Sequence, residues 1–126
     1  MSQFAVNHLY SRQEIAAALG GDEQSYLPHR DRRVVCACVV REFNPDAPAV
    51  ILPGRGPDII HWAEVFAEQL EFVPVFLKRA IHAWQYVGNY RVAECCQDQD
   101  QIARWSEVSN RPGDLSMVLY LEREGD

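Results

Sequence analysis

No stretch of this 126-residue chain is apolar over anything like the ~20 residues that span a bilayer. Its opening residues, MSQFAVNHLYSRQE, lack the basic start and apolar middle of a secretory signal. The expectation is a cytoplasmic chain without a membrane segment. Cysteine is scarce and oddly placed, as Cys36-Ala37-Cys38 and Cys95-Cys96, and neither spacing is the C-x₂-C knuckle of zinc or redox sites. No metal and no cofactor is expected; in a strand, Cys36 and Cys38 face one side and pack as small hydrophobes. Glycine-rich fingerprints are missing too: there is no P-loop, no G-x-S-x-G elbow and no dinucleotide motif. A restriction-type nuclease core is also absent, because Glu71 is followed by Phe-Val-Pro and Lys78 lies seven positions on. Without a close carboxylate–lysine pair, metal-dependent hydrolysis has no obvious site. The chain reads as non-enzymatic.

A surplus of positive charge is lacking as well, since 12 Lys and Arg face 18 Asp and Glu. The imbalance is uneven. Residues 1–91 hold 9 against 10 and residues 92–126 hold 3 against 8. The body is near neutral, so a nucleic-acid role must rest on few phosphate contacts rather than on a broad basic surface.

What is present is a folded composition, 48% hydrophobic, long enough for one core and one domain over residues 1–126. Ser11-Arg12-Gln13-Glu14 is a capping box opening a short helix that stops at Gly20-Gly21. A polar loop with the cluster His29–Arg33 follows, then a strand over Val34–Val40, apolar throughout and therefore expected to be central. After the turn at Asn44–Pro48 come a brief strand at Ala49–Leu52 and the loop Pro53-Gly54-Arg55-Gly56-Pro57. Asp58 is expected to cap a helix running to about Leu70. Strands over Val73–Lys78 and Gln85–Glu94 come next, and Pro74 marks the first as an edge. A helix over Gln99–Val108 buries Ile102 and Trp105, and a last strand covers Leu115–Leu121. The expected fold is α+β: a small curled or barrel-like mixed sheet of about five strands with two to three helices. Gly54, Gly56 and Gly88 are places where such a sheet bends or opens. The Ser11–Gly20 helix does not begin a helix-turn-helix, because Tyr26-Leu27-Pro28, a basic loop and a strand follow.

The most informative stretch is Val73 to Val92. In its second strand Tyr86, Gly88, Tyr90 and Val92 are expected on one face by strand alternation. Gly88 then leaves a gap flanked by rings, beside Lys78, Arg79 and Trp84, as a pocket for a planar ligand needs. Arg55, held between glycines, is placed to swing to a phosphate, and Arg33 adds a cation from the basic cluster. His61 and Glu64 stand at i and i+3 on the second helix, a spacing that suits a metal or hydrolytic role but lacks a third ligand.

Tyr10-Ser11-Arg12-Gln13-Glu14-Ile15 with Leu19-Gly20-Gly21, Asn44-Pro45-Asp46-Ala47-Pro48 and Trp84-Gln85-Tyr86-Val87-Gly88-Asn89-Tyr90 together resemble the PUA-like superfamily. Within it the resemblance is to SRA-type (YDG) readers of modified bases associated with restriction systems, over residues 10–92. It implies a curled sheet whose concave face holds a flipped base between rings. Tyr86, with Tyr90 or Tyr26, would stack, and Asp46 or Asn44 would read the base edge. The YDG tripeptide itself is absent.

The expected function is therefore recognition of a modified or flipped-out base in DNA. Trp84, Tyr86, Tyr90, Tyr26, Asn44 and Asp46 form the base site; Arg55, Lys78, Arg79 and Arg33 hold phosphates. A nuclease or other effector acting in trans is the expected further partner. The alternatives are an interaction module using the acidic last quarter, and a small hydrolase using His61 and Glu64 or a cysteine.

Overall fold

The computed structural model describes residues 3–125. Along the chain lie β1 (Leu9–Tyr10), α1 (Arg12–Leu19), β2 (His29–Arg30), β3 (Arg33–Val34), β4 (Ala37–Val39) and β5 (Val50–Ile51). Then come α2 (Pro57–Glu68), β6 (Val73–Ala80), β7 (Ala83–Cys96), α3 (Gln99–Val108) and β8 (Val118–Arg123). The fold is α+β, with three helices and a six-stranded mixed sheet in the order β4-β6-β7-β8-β5, β1 pairing with β7. The sheet is open: its ends β4 and β5 do not pair, so no barrel closes among the described residues.

The helices follow their local signals. Ser11 caps α1 in a reciprocal box, Ser11 Oγ accepting from Glu14 N at 3.0 Å and Glu14 Oε1 accepting from Ser11 N at 2.9 Å. Asp98 accepts from Gln101 N at 3.1 Å and starts α3 at the expected residue. α2 corrects the expectation. Gly56 occupies the N-cap, Pro57 is the first helical residue and Asp58 lies in the first turn. Proline suits that position because its missing N–H would have had no helical partner.

Three strand expectations also change. The run Val34–Val40 is two strands. β3 closes a hairpin with β2 across Asp31 (φ 54°) and Arg32 (φ 66°), the paired positive φ of a type I′ turn. β4 pairs in parallel with β6 and ends the sheet rather than occupying its centre. It is nevertheless buried, because Cys38 N donates to Tyr26 O at 2.8 Å and so covers the outer edge. β6 is interior despite Pro74. β4 pairs only with Val75–Leu77, so Pro74 lies outside the stretch where its missing N–H would break a ladder. β8 begins at Val118, three residues later than expected, because Leu115 belongs to the buried loop that leads into it.

Two faces are covered. α2 sends Ala63 and Phe66 into a core with Val39, Val75, Leu77, Tyr90 and Leu119. On the opposite face α1 supplies Ile15 to a cluster with Cys36, Cys38, Phe76, Trp84 and Tyr86. α3 supplies Trp105 to a third cluster with Val50, Leu52 and Val118. Trp105 Nε1 donates to the Tyr120 hydroxyl at 2.9 Å, and that hydroxyl donates to Gln101 Oε1 at 2.6 Å, clipping α3 to β8.

The expected alignment of Tyr86, Gly88 and Tyr90 on one face is overturned here. Val75 opposes Gly88 while Phe76 opposes Tyr86, so Val87 is an extra residue in β7. This bulge reverses the alternation. Tyr86 packs in the cluster under α1 and Tyr90 in the core under α2. Gly88 has φ 125°, and a Cβ there would lie 2.7 Å from Arg123 Nε, so the gap the pattern suggested is filled by Arg123.

Gly88→Ala is expected to destabilise the fold by about 1–3 kcal/mol through backbone strain, lowering Tm by roughly 4 to 12 °C. Thermal unfolding checks this, and an Arg123→Ala background should recover the part due to the side-chain collision. An unchanged Tm would remove the bulge glycine from this account.

Candidate functional site

α1, the segment between α1 and β2, the turn after β4, the β6–β7 hairpin tip and the loop after α3 surround one broad cleft of about 1340 Å³. Its floor is Cys38, Val39 and Val40 of β4 and the residue after it. At one end the hairpin places Lys78, Ile81, His82 and Trp84. The turn residues are Ile81 and His82, with His82 at φ 63°. At the other end Phe43, Asn44, Ile59 and Arg111 close around Tyr26.

Trp84 is 7% exposed and serves as a wall, not as an open platform. The Arg12 guanidinium lies over its ring, 5.2 Å from the centroid, and Lys78 Nζ stands at 5.8 Å. Arg12 is held in place by carbonyls: Nη2 donates to Ser25 O at 2.8 Å and to Asp22 O at 3.4 Å. Its Nε is buried without a hydrogen-bond partner. Arg111 is held in the same way, with Nη1 donating to Leu52 O at 2.8 Å and Phe43 O at 3.0 Å. Burial pulls the Arg111 pKa down, while Asp114 and Tyr26 pull it up. Tyr26 donates its hydroxyl to Ile59 O at 2.9 Å, and burial pushes its phenol well up against the opposing pull of Arg111. Phe43 is the open aromatic ring of the cleft, 51% exposed beside the Arg111 contact.

Of the residues expected in a base site, the cleft gathers Trp84, Tyr26 and Asn44, and of the expected phosphate contacts it gathers Lys78. Asn44 is committed to the turn, Nδ2 donating to Val40 O at 3.1 Å and Oδ1 accepting from Leu52 N at 2.8 Å. Tyr86 and Tyr90 are core residues, 3% and 9% exposed, and cannot both flank one ligand. The Tyr86 hydroxyl donates to Asn89 Oδ1 at 2.7 Å. Asp46 is exposed and lies outside the cleft, as does Arg79, the unpaired residue of a second irregularity in β6. Arg33 is paired with Glu71 at 2.8 Å beyond the end of α2. Arg55 lines a separate cavity.

The spacing arguments passed over Arg12, Phe43 and Arg111. Arg12 was legible only as the second letter of a capping box, and Phe43 only as a residue beside a turn. A signal did exist for Arg111, a cation ahead of Pro112-Gly113 after a helix.

Hydroxyls in the lining are spent on structure: Ser11 Oγ caps α1 and Ser109 Oγ donates to Trp105 O at 2.7 Å. The Cys36 thiol is pushed up by its hydrogen bond with Cys38 and by burial, and the Cys95 thiol by burial and by Cys96 and Glu64. Neither is set up as a thiolate nucleophile. Cys95 is exposed and points its thiol at Met117 Sδ, 3.7 Å away. His61 and Glu64 are exposed on α2. Among the described residues no group of three or more His, Cys, Asp or Glu side chains converges to hold a metal ion. No helix among them is long and apolar enough to cross a membrane. The acidic last quarter is partly engaged locally, with Glu122 on Arg91 at 2.6 Å and Glu124 accepting from Asn89 at 3.0 Å.

The folded state holds the Tyr26 proton more tightly than the unfolded chain, whose phenol ionises near pH about 10. The stability this contributes is full below that pH and is lost as pH rises beyond it. Tyr26→Phe should therefore show a flatter loss of stability above pH about 10 than the wild type. In the native state the variant should keep the full phenolate absorbance change seen in that range. Loss of one tyrosine's share of that change would contradict the buried-phenol assignment.

Residues 9–111 match the family described as "Domain of unknown function (DUF6697)", and the chain belongs to that family. No curated protein and no solved structure matches it.

Proposed function

We propose that this family member is a non-enzymatic nucleic-acid-binding domain whose cleft receives one unpaired or flipped-out base, a modified base in DNA being the leading candidate. The observation that carries the reading is an open aromatic ring, Phe43, on a backbone whose carbonyl accepts from the guanidinium of Arg111, in a cleft that also presents Arg12 and Lys78 beside Trp84. A base needs a ring to stack on and its flanking phosphates need cations, and the cleft offers both.

The charge balance narrows the ligand. Arg12, Lys78 and Arg111 share the lining with Glu23, Glu42 and Asp114. Three carboxylates beside three cations do not suit the continuous phosphate track of a duplex. They do suit one or two phosphates placed at defined points. The resemblance of residues 10–92 to SRA-type domains supports the same ligand class, with the stacking role moved from Tyr86 and Tyr90 to Phe43. A nuclease or other effector acting in trans is the further partner of this reading.

Fluorescence anisotropy at low salt tests the reading, using short labelled duplexes with plain, methylated, hydroxymethylated or glucosylated cytosine, and matching single strands. Stacking contributes about 1–3 kcal/mol per base, so Phe43→Ala should weaken binding about 5- to 150-fold. Lys78→Ala should weaken every probe alike and make the salt slope shallower by about 1. Both side chains are exposed, so circular dichroism should report an intact fold. No binding to any probe at micromolar protein, or binding indifferent to Phe43→Ala, would overturn the proposal.

A further inference from the structure

A second cavity, of about 760 Å³, lies directly behind one wall of the cleft. Gly54, Arg111 and Asp114 line the cleft, while their chain neighbours Arg55, Pro112 and Gly113 line the second cavity. Asn110 lines both. The partition is thus a single layer of loop, pinned where Arg55 Nη1 donates to Gly113 O at 3.2 Å. That bond uses one of the five donors of the guanidinium. Arg55 is exposed and makes no ion pair among the described residues.

The second cavity differs from the cleft in character. Apolar surface comes from Ile60, Ile102 and Leu115, neutral donors and acceptors come from Gln99, Ser106 and Ser116, and Glu107 adds one carboxylate. Apolar walls with a few hydrogen-bonding groups suit a heterocyclic base, and a planar guanidinium at the partition suits a phosphate. A base on each side of one loop requires neighbouring bases to be splayed apart, which an unpaired strand permits and a stacked duplex does not.

We infer that the two cavities form one track for single-stranded nucleic acid, with adjacent bases on either side of the partition and the phosphate between them on Arg55. This rests on the base-binding reading of the cleft and extends it from one nucleotide to two. Arg55 keeps the phosphate role that the glycine-flanked loop suggested, but at the second site instead of the first.

The test is an NMR or calorimetric titration of the full chain with thymidine, which carries no phosphate, and with the dinucleotide TpT. The dinucleotide should bind about tenfold tighter or more, the scale of one charge-assisted contact. Arg55→Ala should abolish that gain and leave the thymidine affinity within about twofold, whereas Phe43→Ala should weaken both ligands. Arg55→Gln, which keeps a donor for Gly113 O, should behave as Arg55→Ala. Equal affinity for the two ligands, or a loss in both Arg55 variants that falls equally on both ligands, would overturn the two-cavity track. If thymidine still binds in a Phe43-dependent manner, the cleft reading survives that result. Absence of binding by either ligand would bring down both.

Discussion

Strand β7 runs for 14 residues and pairs with β1, β6 and β8, and the architecture depends on its changing face partway along. An uninterrupted strand would send Trp84, Tyr86, Gly88 and Tyr90 to the same side. The face under α1 would then have to accommodate another tyrosine, and the core under α2 would lose one. The extra residue at Val87 reverses the alternation, so Trp84 and Tyr86 complete one cluster and Tyr90 completes the other. Gly88 is required next to it because φ is 125° and because Arg123 occupies the space a side chain would need. A second shift between Val92 and Glu94 turns the strand over again, bringing Cys96 against the cluster under α3. One strand thereby serves two faces and three helices, and Trp84 is left standing at the margin of the cleft.

In a chain with a net charge of −6, the partners of the cleft arginines decide whether their charge stays uncompensated at close range. Arg12 and Arg111 are positioned by backbone carbonyls, not by carboxylates. A carboxylate would hold a guanidinium and cancel its field at once; carbonyl dipoles hold it and leave the formal charge in place. Outside the cleft, Arg33 and Arg91 are instead paired with Glu71 and Glu122.

Much of the fold was legible locally. The capping box of α1 and the start of α3 at Gln99 are each written in a few adjacent residues. What was not legible depends on distant pairing. Nothing in Val34–Val40 announces that the run splits between a hairpin and a parallel pairing, because the division is set by β2 on one side and β6 on the other. Likewise the bulge at Val87 is visible only against Phe76 and Val75. The same limit governs the site. Trp84, Lys78, Tyr26 and Asn44, which line the cleft, stand out in the sequence because aromatics, cations and turn amides are conspicuous wherever they fall. Tyr86 and Tyr90 lie in the core instead, and an inventory of rings cannot tell a buried ring from an open one. Arg12 and Arg111 escaped notice because their significance lies in carbonyls more than ten residues away.

Arg111 also explains why the aromatic and the cation of the cleft arrive as one unit. Its Nη1 donates to the carbonyl of Phe43 and to that of Leu52, so it ties the turn after β4 to the end of β5. Asn44 reinforces the same junction by accepting from Leu52 N, and Leu52 is itself buried with Trp105 under α3. The ring of Phe43 is therefore carried on a backbone fixed by the residue that supplies the charge. A ligand that stacks on one and pairs with the other meets a geometry already set, and the entropy of ordering a free loop does not oppose its binding. The exposure of Phe43 is consistent with this. An apolar ring held in the open by a half-buried cation and a buried asparagine adds nothing to the core, and on the proposed reading the rigid support beneath it would serve recognition of a planar group.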